Sequence, residues 1–155
     1  MIQRAVVVPP DLFEEDETAW LELMAQLIQE DRLGDLDYPH LQEYLADMAR
    51  RHRREVKSRL TVLLADVLKW LNQPEQRSES WRRTIVKERL ELARLMQRGV
   101  LRAHAEAILS EAYADAVERA AADTEREAES FPAACPCSLG GLLGPGFVES
   151  WCAGS

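Results

Sequence analysis

Long apolar runs are absent from this 155-residue sequence. No stretch approaches the roughly 18 consecutive apolar residues that a membrane-crossing helix needs, so no membrane association is expected. The opening ten residues hold one basic side chain and a four-residue apolar core, Ala5 to Val8, well short of the 7 to 15 residues of a signal-peptide core. A cytoplasmic location is the expectation that follows. Cysteine is scarce: Cys135, Cys137 and Cys152 are odd in number, crowd the C-terminus and do not resemble a disulfide framework. Reduced thiols are expected, in keeping with that location. Glycine and proline are rare before residue 131, and after residue 10 no alternating Val/Ile/Thr segment bounded by turns appears.

Chemical signatures are missing as well. No G-x-x-x-x-G-K, G-x-G-x-x-G or G-x-S-x-G segment occurs, which leaves phosphate cradles and nucleophile elbows without support. His40, His52 and His104 stand apart from one another, outside the H-E-x-x-H and H-x-x-E-H spacings. Cys135-Pro-Cys137 is not a zinc half-site of the C-x₂-C kind, and no second pair completes four ligands. No cofactor, metal or catalytic residue is expected, and an enzyme is the last-ranked reading.

What is present is helical periodicity. The sequence predicts an all-α, single-domain helix bundle of four to five helices: an N-terminal extension over 1–10, the bundle over 11–131 and a Pro/Gly-rich tail over 132–155 with one short helix. A first helix starts at Asp16, carries Trp20, Leu23, Met24, Leu27 and Ile28 on one face and stops before Gly34. Pro39 suits the first turn of a second helix. Its stripe runs Leu41, Leu45, Met48, His52, Val56, Leu60, Leu63, Val67, Leu71 up to Pro74, with room for a bend near His52. A third helix is predicted from an N-cap at Ser80 to Gly99, burying Trp81, Ile85, Leu92, Leu95 and Met96. The fourth runs from Leu101 to Asp123, where Ala105, Ala112, Ala116 and Ala120 make a slim face for packing. The tail is expected to be loosely ordered.

The formal charge of −8 is unevenly distributed. Residues 1–49 hold 2 basic and 12 acidic side chains, residues 50–98 hold 14 and 6, and residues 99–155 hold 3 and 9. A positive centre lies between two negative flanks. Arg50, Arg53, Arg54 and Lys57, with Arg82 and Arg83, form the basic set that could meet phosphates. The favoured reading is internal complementarity, because the flanks are acidic and the cluster lacks the interleaved aromatics of a single-strand groove.

The densest patterning is Lys69-Trp70-Leu71-Asn72-Gln73-Pro74-Glu75-Gln76-Arg77-Ser78-Glu79-Ser80-Trp81. Trp70 and Trp81 bracket a turn at Pro74, and Arg77 can pair with a carboxylate or stack on an indole. Tryptophan and arginine dominate interface anchors, yet buried tryptophans also lock helix corners; the corner is the favoured reading.

That segment and its neighbours resemble a bacterial helical family known only as a domain of unknown function, number twenty-nine in its series. The resemblance spans roughly residues 11–148. It is carried by Asp16 to Trp20, Asp35-Leu36-Asp37, Leu41, Glu43, Arg59-Leu60, Val62-Leu63-Leu64, Leu68-Lys69-Trp70, Gln73-Pro74-Glu75, Arg77, Ser80, Trp81, Thr84, Ile85, Phe131-Pro132, Cys135-Pro136, Leu139, Leu142 and Leu143. The resemblance implies an all-helical cytoplasmic bacterial protein and no particular activity. His40 and Tyr44 depart from the family's Asn-Leu-x-Glu-Glu, Ala49 replaces a usual glycine, and Cys137 stands where an aromatic is habitual. Gly140 and Gly141 replace helix formers at about 1 kcal/mol each, so the last helix is expected to be short.

The functional expectation is a non-enzymatic protein-interaction or self-association module. Trp70, Pro74, Arg77, Trp81 and Arg82, with Arg50, Arg53, Arg54 and Lys57, are its candidate surface. A protein partner or homo-oligomer is expected first. The alternative is a nucleic-acid-associated regulator using the central basic segment.

Overall fold

The computed structural model of the chain describes residues 7–97 and 99–151, the side chains of Ser150 and Trp151 apart. Among the described residues all regular structure is helical, as the periodicity predicts. The chain divides into two compact units, with the boundary in the sequence between Arg50 and Arg51.

The first unit contains α1 (Leu12–Glu15), α2 (Glu17–Gln29), a 3₁₀ turn at Leu33–Asp35 and the beginning of α3 (Tyr38–Asn72). Asp16 caps α2 by accepting from the Ala19 N–H at 3.0 Å. Trp20, Met24 and Leu27 form the buried core, with Phe13, Leu23, Leu36, Leu41 and Tyr44 around them. The helix stops at Gln29, before Gly34 as the sequence predicts. Asp31 takes the left-handed conformation (φ 55°) and the Arg32 N–H returns to the Leu27 carbonyl at 2.8 Å. This Schellman closure satisfies the helix end without glycine.

α3 is one unbroken helix of 35 residues, about 52 Å long at 1.5 Å per residue. The predicted stripe is only partly buried. From Gln42 to Glu55 no side chain of α3 is buried, His52 is exposed, and Leu45 is 64% exposed. Spacing shows which residues share a side of a helix; it does not show that anything packs on that side.

In the second unit α3 becomes the central element, with every residue from Leu63 to Leu68 buried. α4 (Glu79–Leu95) and α5 (Gly99–Thr124) supply further core. Ser78, not Ser80, caps α4: its hydroxyl accepts from the Trp81 N–H at 3.1 Å. Ile85, Leu92 and Met96 are buried as the spacing predicts, and so are Ala105, Ala112, Ala116 and Ala120. The slim face of α5 is spent inside this unit.

The tail differs most from expectation. It carries two short helices, α6 (Leu139–Leu143) and α7 (Val148–Trp151), and Phe131, Cys137, Leu139, Leu142 and Val148 are no more than 4% exposed. Proline and glycine interrupt regular structure, yet the apolar side chains between them still gain by burial. Arg89 of α4 reinforces the tail by donating to the Leu142 carbonyl at 3.1 Å, to that of Leu143 at 3.3 Å, and to that of Gly144. Cys137 is disulfide-bonded, which corrects the expectation of reduced thiols, whereas Cys135 keeps a free thiol. Cys152 lies outside the described residues.

Candidate functional site

The Trp70–Trp81 corner is assembled by three segments of the second unit. α3 ends at Asn72, the 3₁₀ turn Pro74–Gln76 reverses the chain, and α4 begins at Glu79. The Trp70 and Trp81 rings meet edge-on at 5.4 Å, and Phe147 from the tail closes on Trp70 at 5.1 Å. Arg77 binds twice: its Nε donates to the Trp70 carbonyl at 2.8 Å and its guanidinium lies 4.9 Å from the Trp70 ring centre. Arg82 covers Phe147 at 4.2 Å.

Glu149 supplies the corner's anion. Its Oε1 accepts from Trp70 Nε1 at 3.0 Å and lies 3.7 Å from Arg77. The indole N–H holds this carboxyl below its ordinary range, assisted by the charges of Arg77 and Arg82. The indole N–H of Trp70 is thus satisfied within the fold. Pro74 stays exposed in the turn and Trp81 half-buried.

Next to the corner, Asp66 is a charged residue inside the core. Lys69 joins it at 3.1 Å and also reaches Asp123 of α5 at 3.1 Å. Lys69, Gln73, Gln76, Trp81 and Asp123 line an open hollow of about 320 Å³. The signal for Asp66 was present in the sequence as a lone charge within Leu63-Leu64-Ala65-Asp66-Val67-Leu68.

The basic set does not join the corner as one patch. Lys57 precedes Trp70 by about 20 Å along α3 and is engaged by Glu111 at 2.6 Å and Asp115 at 3.5 Å, both on α5. The Glu111 contact raises the Lys57 pKa and lowers that of Glu111. Arg50 pairs with Asp47 one turn earlier. Among the described residues no ion pair engages Arg53, Arg54 or Arg83.

A second cluster, in the first unit, was not singled out from the sequence. Asp37 Oδ2 accepts from Trp20 Nε1 at 3.0 Å and from His40 Nδ1 at 2.7 Å, while His40 Nε2 lies 3.3 Å from Glu14. Phe13 stacks on the imidazole at 4.5 Å. The hydrogen bond to Asp37 raises the His40 pKa, aided by the charges of Asp37, Glu14 and Glu43. Partial burial works to raise the Asp37 pKa, but the His40 and Trp20 N–H bonds leave it lowered. D-x-x-H across a helix start was the available signal, and the distant Trp20 and Glu14 partners were not legible.

An apolar hollow of about 640 Å³ lies between α5 and the start of the tail, lined by Tyr113, Val117, Phe131, Pro132 and Cys135 among others. Tyr113 donates its hydroxyl to the Pro132 carbonyl, and burial raises the pKa of the Cys135 thiol. A raised pKa makes a thiol less nucleophilic at neutral pH. Among the described residues no group of three or more His, Cys, Asp or Glu could hold a metal ion, and no helix is long and apolar enough to cross a membrane.

No curated protein and no solved structure matches the chain. Residues 12–148 match the family model described as Domain of unknown function DUF29.

Proposed function

The chain belongs to the DUF29 family, and from that premise we propose that it is a non-enzymatic protein-interaction module that self-associates. One observation carries the reading. The core cluster of the first unit has three fully buried side chains, Trp20, Met24 and Leu27, while Ile28, Leu33, Tyr38 and Leu45 are each about half exposed or more. A helical hairpin with so small a core has apolar surface to gain from a partner. The corner, part of the candidate surface read from the sequence, is engaged within the second unit; the outward apolar side chains are the better support for association.

Light scattering on the full chain tests this: the weight-average mass should rise with concentration. A mass that stays monomeric, with no partner captured by the immobilised protein, overturns the proposal. The second reading, a nucleic-acid-associated regulator, is supported by Arg53, Arg54 and Arg83. It requires binding that weakens with salt at a log-log slope of about −0.9 per neutralised phosphate of B-DNA.

A further inference from the structure

The proposed self-association leaves open which surfaces meet, and two helix faces answer to each other in shape and charge. On α2, Leu21, Ala25 and Ile28 recur at i, i+4 and i+7 on the flank beside Trp20, Met24 and Leu27, and Leu21 also packs against that core. Ala25 is exposed, Leu21 half-buried and Ile28 53% exposed. Glu17 and Glu22, both exposed, flank this stripe. It is a narrow apolar seam with acidic edges.

On α4, Arg83, Val86, Lys87 and Leu90 recur at i, i+3, i+4 and i+7. Together with Glu79, Arg82 and Glu91 they line a shallow trough on the outer side of the helix. Leu90 is 55% exposed and Val86 half-buried. Glu91 is engaged by Arg94 at 2.6 Å, and Arg82 lies on Phe147. Among the described residues no ion pair engages Arg83 or Lys87. This seam is apolar with basic edges.

We infer that the α2 seam of one copy docks on the α4 trough of a second copy. Leu21, Ala25 and Ile28 would lie against Val86 and Leu90, as helices pack through i, i+3, i+4 and i+7 side chains. Glu17 and Glu22 would face Arg83 and Lys87. The segmental charges agree: residues 1–49 hold 12 acidic and 2 basic side chains, residues 50–98 hold 6 and 14. Two copies presenting like regions to each other would repel, whereas acidic against basic attracts and sets the pairing.

The inference rests on the self-association proposed above, and sedimentation equilibrium of the full chain separates their failures. The wild type should dimerise, less tightly as salt rises. R83E/K87E and E17K/E22K chains should each dimerise at least about tenfold more weakly, with unchanged helical circular dichroism, and an equimolar mixture of the two should regain a heterodimer. Leu90→Ser, at an exposed position, should weaken the dimer without altering the spectrum. A dimer that both charge-reversed chains retain overturns the seam and leaves self-association standing. A wild type monomeric at every concentration overturns both, as does a monomer that binds a DNA duplex through Arg83 and Lys87.

Discussion

Glu125 and Asp31 occupy left-handed backbone, φ 54° and 55°, just after α5 and α2. At Glu125 the following N–H, that of Arg126, closes on the Ala121 carbonyl at 3.1 Å, so the conformation is part of the helix end and persists with any residue. A side chain there costs roughly 1–2 kcal/mol that glycine avoids. Glu125→Gly should therefore stabilise the protein by about 1 kcal/mol, less the added chain entropy of glycine, and raise Tm by roughly 2–4 °C in calorimetry. His40 makes a different prediction. Its folded pKa lies above the unfolded value of about 6.5, so its stabilising contribution is complete below that value and is lost as pH rises through the folded pKa. Thermal melts from pH 5.5 to 8.5 should show this loss. His40→Asn, which keeps a polar side chain but cannot titrate, should remove that part of the pH dependence, and a side-chain NMR titration of His40 should give the raised pKa directly.

α6 has only five residues and two of them are glycine, so its persistence depends on what holds it. Leu139 and Leu142 bury it, and Arg89 satisfies the carbonyls at its end. Removing a charged donor from partly buried carbonyls costs about 1.5–3 kcal/mol. Arg89→Ala should lower the urea midpoint accordingly, and Arg89→Lys, which lacks the planar fork, should recover only part. The α3–α4 corner depends on the Trp70 N–H as well as its ring. Trp70→Phe keeps an aromatic beside Trp81 and Phe147 but leaves Glu149 without its donor, costing about 1–2 kcal/mol and letting the Glu149 pKa rise toward its ordinary value. Trp70→Ala, which also empties the ring's place in the core, should cost about 3–5 kcal/mol. Equal losses for both variants in urea unfolding would show that the N–H matters and the ring does not.

Over the whole molecule, stability is unequally shared. The second unit contains the longer core, from Val56 through Val148, whereas the first unit's core cluster rests on Trp20, Met24 and Leu27. Amide hydrogen exchange should accordingly be fastest in residues 7–50 and slowest around Leu60–Leu68 and Ala112–Ala120, with the difference largest in a chain whose association has been blocked. Charge shows the same inequality. Lys57 reaches Glu111 and Asp115, and Lys69 reaches Asp123, so part of the positive centre meets acidic α5 as internal complementarity requires. Arg53, Arg54, Arg83 and Lys87 are not among these pairs, and the net charge of −8 conceals that surface.

Helical class, the alanine face of α5, the start of α2 near Asp16 and the turn at Pro74 were all legible in the sequence, because each follows from local backbone preference or from a repeat within one helix. The same locality misplaced two features. Leu45 and His52 lie on the α3 stripe where nothing buries them, and the tail's prolines and glycines masked the pull of Leu139, Leu142 and Val148 toward the core. Only the tertiary structure joins Trp70 to Glu149, Arg89 to Gly144, and Trp20 to Asp37 and His40, since each contact links residues 17 to 79 positions apart. Periodicity decides which side of a helix is apolar. What covers that side is decided by segments distant in the chain, and therefore by the fold.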